Sequence, residues 1–268
     1  MEISFYKYQG TGNDFVLLDN RDGRYDALSS TQIAWLCDRR FGVGGDGLML
    51  LQNKEGFDFE MVYFNADGQD SSMCGNGGRC LVAFANFLGI LDQPKAYFLA
   101  VDGPHEAVVV SSAYIELKMS PVNATQYGAP ALFLDTGSPH HLAFVPNLDE
   151  INVYEQGQEI RYSAPYKAAG TNVNFIEIKA PNQLYVATYE RGVEGETLSC
   201  GTGVTAAALA YQLSHRQQTS SNAVKIQTKG GNLTVRYSQI EQQFKDIWLC
   251  GPAQQVFKGQ LTLSVSSK

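Results

Sequence analysis

The chain lacks the features that mark membrane, secreted and nucleic-acid-binding proteins. Its 268 residues include no apolar run of about 18 residues, the length that a membrane-spanning helix needs. The start, MEISFYKYQG, has no basic segment followed by an apolar one, so we expect no secretory signal. Lys and Arg total 20 against 27 Asp and Glu, a net charge of −7 without basic clusters. This excess of acidic residues argues against binding to nucleic acid phosphates. We expect neither a nucleic acid nor a membrane partner.

Cysteine is scarce and odd in number. The five cysteines are Cys37, Cys74, Cys80, Cys200 and Cys250. An odd count without a leader is not typical of a disulfide framework. Zinc sites use paired Cys or His at short spacing, and the one close pair, Cys74 and Cys80, has no second half. We therefore expect no metal, and free thiols in a reducing, cytoplasmic compartment.

What is present is an ordinary globular composition. Hydrophobic residues make up 44% and charged residues 18% of the chain, which excludes a disordered protein. The length fits two domains of about 130 residues or one large β-rich domain, and either can bury a full core.

The sequence contains an internal duplication. Segment 64–77 resembles 189–203, and their cysteines lie 126 positions apart. Four further pairs recur in the same order at similar offsets: 8–16 with 133–141, 45–50 with 170–175, 97–103 with 224–230, and 117–122 with 248–253. Similar glycine-rich turns could explain one or two pairs but not five in order. We therefore predict two similar domains, 1–125 and 126–268, facing each other across a pseudo-two-fold axis, with the extreme C-terminal strands free to pack back on the first.

Local patterns predict strands and three helices. Stretches that mix β-branched and aromatic residues between turn residues predict strands at 14–19, 57–64, 106–110, 114–119, 173–178, 183–189, 232–237 and 244–250. Residues 79–90 and 203–213 are apolar on nearly every side, which is typical of fully buried helices. A third, amphipathic helix over 30–40 begins at a Ser or Thr cap and carries Cys37 among apolar residues. The predicted fold class is α+β: two pseudo-symmetric domains, each a mostly antiparallel, β-barrel-like sheet around a central helix.

A Cys-Gly-x-Gly motif precedes each central helix, at 74–77 and 200–203. The first N–H groups of a helix lack intrahelical partners, and the helix dipole there stabilises a thiolate or a carboxylate. Glycine lets a ligand approach the backbone and permits unusual dihedrals. One such motif is weak evidence. Two of them on opposite sides of a cleft would place an acid and a base on the two faces of one carbon, as stereochemical inversion requires. The alternative is a pair of structural thiols or a disulfide.

Polar residues within the repeated segments add candidate ligands. Asn65, Asn76 and Asn172 can anchor polar groups, and Arg191 can hold a carboxylate through two hydrogen bonds. Glu190 and His140 could tune which thiol is ionised. Each of these residues also has an ordinary structural interpretation, since Asn in turns usually satisfies backbone groups.

Six motifs together resemble the diaminopimelate epimerase family over essentially the whole chain. They are GTGNDF (10–15), FNADG (64–68), CGNGGRC (74–80), GTNVNF (170–175), YERG (189–192) and ETLSCGTG (196–203). The resemblance implies two pseudo-symmetric, β-barrel-like domains with the active site between them. It also implies interconversion of L,L- and meso-diaminopimelate without pyridoxal phosphate or metal, on the route to lysine and peptidoglycan. Homodimers are common in the family.

The resemblance also assigns residues. Cys74 and Cys200 become the proton-transfer pair, and the direction of reaction decides which is the base. The implied substrate contacts are Asn13, Asn65, Gly75, Asn76, Asn172, Glu190, Arg191, Gly201 and Thr202. Amides at the helix starts would hold the carboxylate beside the reacting carbon, while Arg191 and the asparagines would hold the distal amino-acid end. His140 and Glu190 match positions that tune the thiols.

Two positions depart from the family pattern. Ser138 stands where the family often has Asn, and its shorter reach weakens the expectation of a direct substrate contact. Gly47 stands where some members have Gln, and it can offer only its backbone.

Other functions remain open at this point. A proline racemase or hydroxyproline epimerase shares the two-cysteine logic, but its substrate has no distal amino-acid group for YERG and GTNVNF to hold. A phenazine-biosynthesis type of isomerase lacks the cysteine pair. A non-catalytic amino-acid binding protein would need no thiol on each side. Cys80 and Cys250 are expected to pack in the core.

Overall fold

The chain forms two compact units. A computed structural model describes residues 1–124, 132–215 and 222–263. One unit comprises Met1–Leu117 and the described part of Pro252–Lys268, and the other comprises Lys118–Gly251. The predicted boundary between residues 125 and 126 lies outside the described residues.

The first unit is a mixed sheet with two helices. Its strands are β1 (Glu2–Gly10), β2 (Asn13–Asp19), β3 (Gly47–Gln52), β4 (Phe59–Asn65), β5 (Lys95–Ala100), β6 (Gly103–Ser111), β7 (Tyr114–Met119), which runs on into the second unit, and β17 (Gln254–Thr262). Its helices are α1 (Ser30–Cys37) and α2 (Gly75–Phe87). Neighbouring strands follow the order β17-β1-β2-β3-β4-β5-β6-β7; the pairs β2–β3 and β4–β5 are parallel and the others antiparallel. The C-terminal strand β17 thus pairs with the N-terminal strand.

The second unit repeats this arrangement. Its strands are β8 (Val122–Asn123), β9 (Leu132–Asp135), β10 (Pro139–Phe144), β11 (Asn172–Ala180), β12 (Gln183–Glu190), β13 (Gly195–Thr197), β14 (Ala223–Thr228), β15 (Gly231–Ile240) and β16 (Gln243–Pro252). Its helices are α3 (Val153–Arg161) and α4 (Gly201–Ser214), with a short 3₁₀ turn at Leu148–Glu150. The strand order is β9-β10-β11-β12-β14-β15-β16-β8, with β10–β11 and β12–β14 parallel and β13 added to β12.

Each described α-helix is the crossover of a parallel strand pair. Parallel neighbours cannot be joined by a tight turn, so α1 connects β2 to β3, and α2 lies between β4 and β5. In the second unit α3 connects β10 to β11, and α4 lies between β12 and β14. The sequence patterns do not predict α3. Its position nonetheless matches that of α1 when the offset between the repeated segments is added to the residue numbers of α1.

The two central helices are buried on nearly all sides, as predicted. In α2 every residue from Gly75 to Ala85 is buried, and the helix contacts β1, β2, β3, β4, β6 and β17. In α4 the buried residues run from Gly201 to Tyr211 with the exception of Thr202, and the helix contacts β9, β10, β11, β12, β14 and β15. Five of the six strands around each helix are equivalent between the units, and the exceptions are β17 at α2 and β14 at α4.

Several bounds differ from the sequence-based predictions. The central helices begin at Gly75 and Gly201, earlier than the predicted residues 79 and 203, and α2 ends at Phe87 and not at residue 90. Helix α1 begins as predicted, with Ser29 and Gln32 forming a capping box, but it ends at Cys37 and not at residue 40. The cause is Asp38, whose carboxylate accepts hydrogen bonds from the N–H groups of Arg40 and Phe41 and starts a turn. The structural equivalent of Gly103 is Gly231 and not Gly230, because each opens the second strand of a hairpin at positive φ. No helix in the described ranges is long and apolar enough to cross a membrane.

Candidate active site

Cys74 and Cys200 occupy the same local position in their units. Each is the N-cap residue of its central helix, with φ −116° and ψ 123° at Cys74 and φ −115° and ψ 113° at Cys200. Neither thiol caps its helix with a side-chain hydrogen bond. The first intrahelical bonds run from Gly78 N–H to the Cys74 carbonyl (2.7 Å) and from Val204 N–H to the Cys200 carbonyl (2.9 Å). Both sulfur atoms therefore sit where the helix dipole favours negative charge.

The glycines of the two motifs serve close packing. Gly75, Gly77, Gly201 and Gly203 all lie within the helices, so the expectation of unusual dihedrals is wrong. A Cβ on Gly77 would overlap Met49 Cε, and a Cβ on Gly203 would overlap Asn174 Oδ1. The second glycine of each motif thus lets the helix start lie directly against the neighbouring strand.

A tight hairpin presents Asn13 to Cys74. Thr11 and Gly12 join β1 to β2 with φ of +52° and +84°, and the positive φ at Thr11 is rare for a β-branched residue. The Cys74 Sγ lies 3.6 Å from Asn13 Oδ1, which also accepts from Asn76 Nδ2 at 3.3 Å. Asn13 Nδ2 donates to Asp46 Oδ2 at 2.5 Å. The structure therefore brings Asn13, Asn76 and Cys74 together.

Arg79 is a residue of this cluster that sequence reasoning missed. It is fully buried on α2 and donates to Asn76 Oδ1 at 2.9 Å. It also donates to Thr11 Oγ1 and to the Gly75 carbonyl, each at 3.4 Å. A charged residue in an otherwise apolar, buried helix was the available signal, because a buried charge requires partners.

Asn65 lies at the exposed end of β4, directly opposite Gly47 in β3. Its Oδ1 accepts a hydrogen bond from Ser71 Oγ at 2.8 Å. A Cβ on Gly47 would lie 2.5 Å from the Phe64 carbonyl oxygen and 2.5 Å from the Tyr63 ring. Glycine is therefore fixed at position 47 by the packing of β3 against β4.

His140 is fully buried on β10 and is held by Asn174 of the adjacent strand β11. Asn174 Nδ2 lies 3.0 Å from His140 Nδ1, and Thr188 Oγ1 donates to Asn174 Oδ1 at 2.9 Å. Burial, followed by the positive charge of Arg191, lowers the pKa of His140 to about 3. His140 is therefore a neutral imidazole at physiological pH.

A chain of hydroxyl groups links His140 to Cys200. Ser138 Oγ lies 3.0 Å from His140 Nε2 and 3.1 Å from Thr202 Oγ1. Thr202 Oγ1 lies 3.5 Å from Cys200 Sγ, within hydrogen-bonding range for sulfur. Asn172 Nδ2 donates to Ser138 Oγ at 3.2 Å. Ser138, which sequence reasoning considered only as a substrate contact, is thus the connection between the imidazole and the thiol.

Arg191 and Glu190 close the second unit's cluster from the end of β12. The Arg191 backbone N–H donates to Asn172 Oδ1 at 2.9 Å, and its guanidinium donates to the Ala169 carbonyl at 3.0 Å. Gly170, at φ +75°, makes room for this side chain, since a Cβ there would lie 2.7 Å from Arg191 Cδ. Glu190 is half-buried at the last paired position of β12, opposite Gly195.

The remaining cysteines are buried, and none of the five, all of which lie in the described part of the chain, forms a disulfide. Burial raises the pKa of Cys37 and of Cys80 to about 12 in each case, so both stay protonated at neutral pH. Among the described residues, no group of three His, Cys, Asp or Glu side chains is arranged to hold a metal ion.

Known structures share this fold. A phenazine biosynthesis protein of the PhzF family from Bacillus anthracis superposes with a TM-score of 0.75 at 13% identity, over 98% of this chain and 100% of that one. A hydroxyproline epimerase from Agrobacterium vitis gives a TM-score of 0.69 at 14% identity, over 97% and 91%. The fold is therefore that of a class of α+β proteins that includes amino-acid epimerases.

Sequence comparison identifies the family within this class of fold. A family model described as diaminopimelate epimerase matches residues 5–117 and 132–256. The diaminopimelate epimerase of Flavobacterium psychrophilum is 48% identical over 256 residues, covering 96% of this chain and 99% of the relative. That of Chlorobaculum tepidum is 44% identical over 262 residues, covering 95% and 99%. The chain belongs to the diaminopimelate epimerase family, a family of isomerases, which confirms the resemblance seen in its motifs.

Proposed function

We propose that this chain interconverts L,L- and meso-diaminopimelate by proton transfer at one carbon, with Cys74 and Cys200 as the two acid/base groups. The observation that carries the proposal is that, in a chain of this family, both buried helices begin directly after a cysteine in the same backbone conformation. The product serves lysine and peptidoglycan precursor synthesis.

The proton balance of the reaction is simple. One thiolate takes the α-proton of the substrate, which leaves a neutral thiol and a carbanion. The other thiol then gives its proton to the opposite face of the same carbon and becomes the new thiolate. One proton leaves and one arrives, so the configuration inverts without an oxidant or a co-reactant. The reverse direction exchanges the roles of Cys74 and Cys200.

Backbone amides at the helix starts stabilise the carbanion in this proposal. Gly75, Asn76, Gly201 and Thr202 form the first turns of α2 and α4, where N–H groups and the helix dipole attract a carboxylate. Negative charge that moves from the α-carbon into the carboxylate then meets fixed donors. In other enzymes, one such donor contributes a factor of about 100 to 1000 in rate.

Side chains around the helix starts hold the rest of the substrate. We assign Asn13, Asn65, Asn172 and Arg191 to the distal amino-acid end, because amide and guanidinium groups match its carboxylate and ammonium. Glu190 binds an ammonium group or tunes a thiol. Gly47 contributes its backbone only.

Exchange of the α-hydrogen tests the proposal. Incubation of the reduced protein with L,L-diaminopimelate in D2O is expected to give meso product that carries deuterium at the inverted carbon. A parallel incubation with L-proline tests the proline racemase alternative. Absence of both deuterium uptake and meso product would exclude the epimerase function, and racemised proline would support the alternative.

Cysteine variants test the two-base mechanism. Cys74→Ala and Cys200→Ala are each expected to abolish epimerisation while circular dichroism shows an intact fold. Cys37→Ala is the matched control, because Cys37 is a buried core thiol that stays protonated. Ordinary turnover in either of the first two variants would contradict the mechanism.

We further propose that the protein works without pyridoxal phosphate or metal, in the cytoplasm, and as a homodimer. Two thiols and oriented amides suffice for the proton transfers described above. Full activity after dialysis against EDTA, with no pyridoxal absorbance, is the expected result. Light scattering of the purified protein measures its oligomeric state.

A further inference from the structure

We propose that Glu194 is a positioning residue for substrate binding, because its carboxylate fixes the turn after β12 and thereby the place of Arg191. The inference rests on the proposed function, which assigns Arg191 to the distal amino-acid end of the substrate. Glu194 acts in it through Arg191 and makes no substrate contact of its own.

The turn between β12 and β13 holds a non-glycine residue in the left-handed region. Gly192 has a φ of +95° and Glu194 a φ of +55°, and such a value is uncommon for a residue with a side chain. The Glu194 N–H donates to the Glu190 carbonyl at 2.8 Å and closes the turn. A strained residue keeps its conformation only where surrounding contacts hold it, and at Glu194 the side chain makes those contacts.

The Glu194 carboxylate links the turn to the elements on either side. Oε1 accepts from the Gly192 N–H at 3.1 Å, within the turn. Oε2 accepts from Tyr189 Oη on β12 at 3.1 Å and from Tyr162 Oη at the end of α3 at 2.9 Å. Tyr189 is itself fixed, since it is fully buried and a Cβ on Gly157 of α3 would lie 2.4 Å from Tyr189 Cβ. One side chain therefore joins the turn to β12 and to α3.

Arg161, the last residue of α3, extends these contacts to Arg191. A Cβ on Gly170 would lie 2.8 Å from Arg161 Cζ and 2.7 Å from Arg191 Cδ, so the two arginine side chains meet at this glycine. The Arg161 Nε lies 3.7 Å from Glu194 Oε1, and its buried Nε and Nη1 have no hydrogen-bond partner among the described residues. Like charges repel at close range, so Arg161 can lie beside Arg191 because the Glu194 carboxylate compensates its charge.

The place of Arg191 depends on the turn and on the segment around Gly170 together. Its backbone N–H donates to Asn172 Oδ1 at 2.9 Å, and its Nη1 donates to the Ala169 carbonyl at 3.0 Å. Both contacts require the turn to keep one position relative to that segment. If the turn is released, the Arg191 side chain must be ordered each time a substrate binds, at a cost in conformational entropy.

Kinetics of Glu194→Gln with diaminopimelate test this role. The change removes the charge at nearly constant volume and leaves Arg161 without its carboxylate. KM is expected to rise about tenfold, as for a lost hydrogen bond to a charged group, with a smaller fall in kcat. An unchanged KM in the folded variant would overturn the proposal.

Glu177→Gln is the matched control. The Glu177 carboxylate also accepts from a backbone N–H, that of Leu148, and pairs with Lys179, but it lies within β11 and outside the turn. This variant is expected to keep the wild-type KM and kcat.

A double-mutant cycle separates the positioning of Arg191 from a general effect on the fold. Arg191→Gln alone is expected to lower kcat/KM. Adding Glu194→Gln to it is expected to change kcat/KM by no more than about twofold, because the group that Glu194 positions is already absent. A further loss as large as that in the wild-type background would show that Glu194 acts elsewhere, and the proposal would be wrong.

A measurement without substrate keeps this test separate from that of the proposed function. In NMR relaxation, the order parameter of the Arg191 Nε–H group is expected to fall in Glu194→Gln and to keep its wild-type value in Glu177→Gln. Loss of the signal in Arg191→Gln assigns it. If wild type does not epimerise diaminopimelate, the proposed function fails, and the order parameter still decides the present inference. If wild type is active and neither KM nor the order parameter changes in Glu194→Gln, the present inference alone fails.

Tyr162→Phe is the second variant if Glu194→Gln does not fold. It removes one donor to the same carboxylate from a partly exposed side chain. The Arg191 order parameter is expected to fall by less than in Glu194→Gln, and an unchanged value would contradict the proposal.

Discussion

Replacing Gly203 with alanine should destabilise the second unit and break the hydrogen bond between Asn174 and His140. A Cβ at this position would overlap Asn174 Oδ1 and would lie 3.2 Å from Thr188 Oγ1. Asn174 cannot withdraw freely, because its amide bonds to Thr188, to His140 and to the His141 carbonyl. The substitution must therefore either strain the start of α4 or break these hydrogen bonds.

The expected change in the free energy of unfolding combines two costs and one gain. Overpacking a buried site costs about 1–3 kcal/mol, and an unsatisfied buried polar partner costs about 1–3 kcal/mol. Alanine in place of glycine favours the helix by about 1 kcal/mol. The free energy of unfolding of Gly203→Ala is thus expected to fall by about 1–5 kcal/mol when both costs apply.

Gly77→Ala is the matched control, since Gly77 holds the equivalent place in α2. The new Cβ would overlap Met49 Cε, the end of a flexible side chain that can change rotamer. The gain in helix propensity then offsets most of the packing cost, and the change is expected to stay within about 1 kcal/mol.

Urea unfolding followed by circular dichroism measures both variants against wild type. Epimerisation assays at low urea then separate loss of stability from loss of the His140 network. If Gly203→Ala proved as stable as Gly77→Ala, the packing argument for the second glycine of the motif would be refuted.

Three further predictions concern stability. Ser29→Ala removes the capping box of α1 and should lower the free energy of unfolding by about 1 kcal/mol, measured by urea titration, without changing turnover. Because the folded pKa of His140 is about 3, below its ordinary value of 6.5, unfolding takes up a proton as pH falls below 6.5. Stability should therefore fall by about 1.4 kcal/mol per pH unit from 6.5 toward 3 through this residue, and His140→Asn should remove that slope in unfolding curves taken across this range. Asp14→Asn leaves the buried Lys7 ammonium without its carboxylate and should cost about 3 kcal/mol, whereas Asp22→Asn, which breaks an exposed pair, should cost under about 1 kcal/mol by the same measurement.

The sequence was sufficient to predict those elements for which the local residue pattern and the chemistry of the side chains indicate the same structure. The Cys-Gly-x-Gly motifs were predicted to precede buried helices, and Cys74 and Cys200 are the N-cap residues of such helices. Those helices are apolar on nearly every side, and such a pattern is compatible with few structures other than a fully buried helix. The polar helix α3 gives no such signal, since only Val153 and Gly157 within it are buried. Moving α1 by the offset of the duplication would have predicted it.

The sequence was insufficient where the meaning of a residue depends on a distant neighbour. Glycine is equally compatible with an unusual dihedral and with close packing, and only the positions of Met49 and Asn174 decide for the latter. Ser138 lies 64 residues before Thr202, so nothing local indicates that their hydroxyl groups meet. Arg79 was visible as a buried charge, but its partners, Asn76 and Thr11, become apparent only in the fold.

The duplication makes the two thiols equivalent in backbone, and the side chains beside them make them different. By the offsets of the repeated segments, Asn13 corresponds to Ser138, and Asn76 corresponds to Thr202. At Cys74, the neighbouring polar atom is the amide oxygen of Asn13, 3.6 Å from the sulfur. At Cys200, the hydroxyl groups of Thr202 and Ser138 form a chain of contacts that ends at His140.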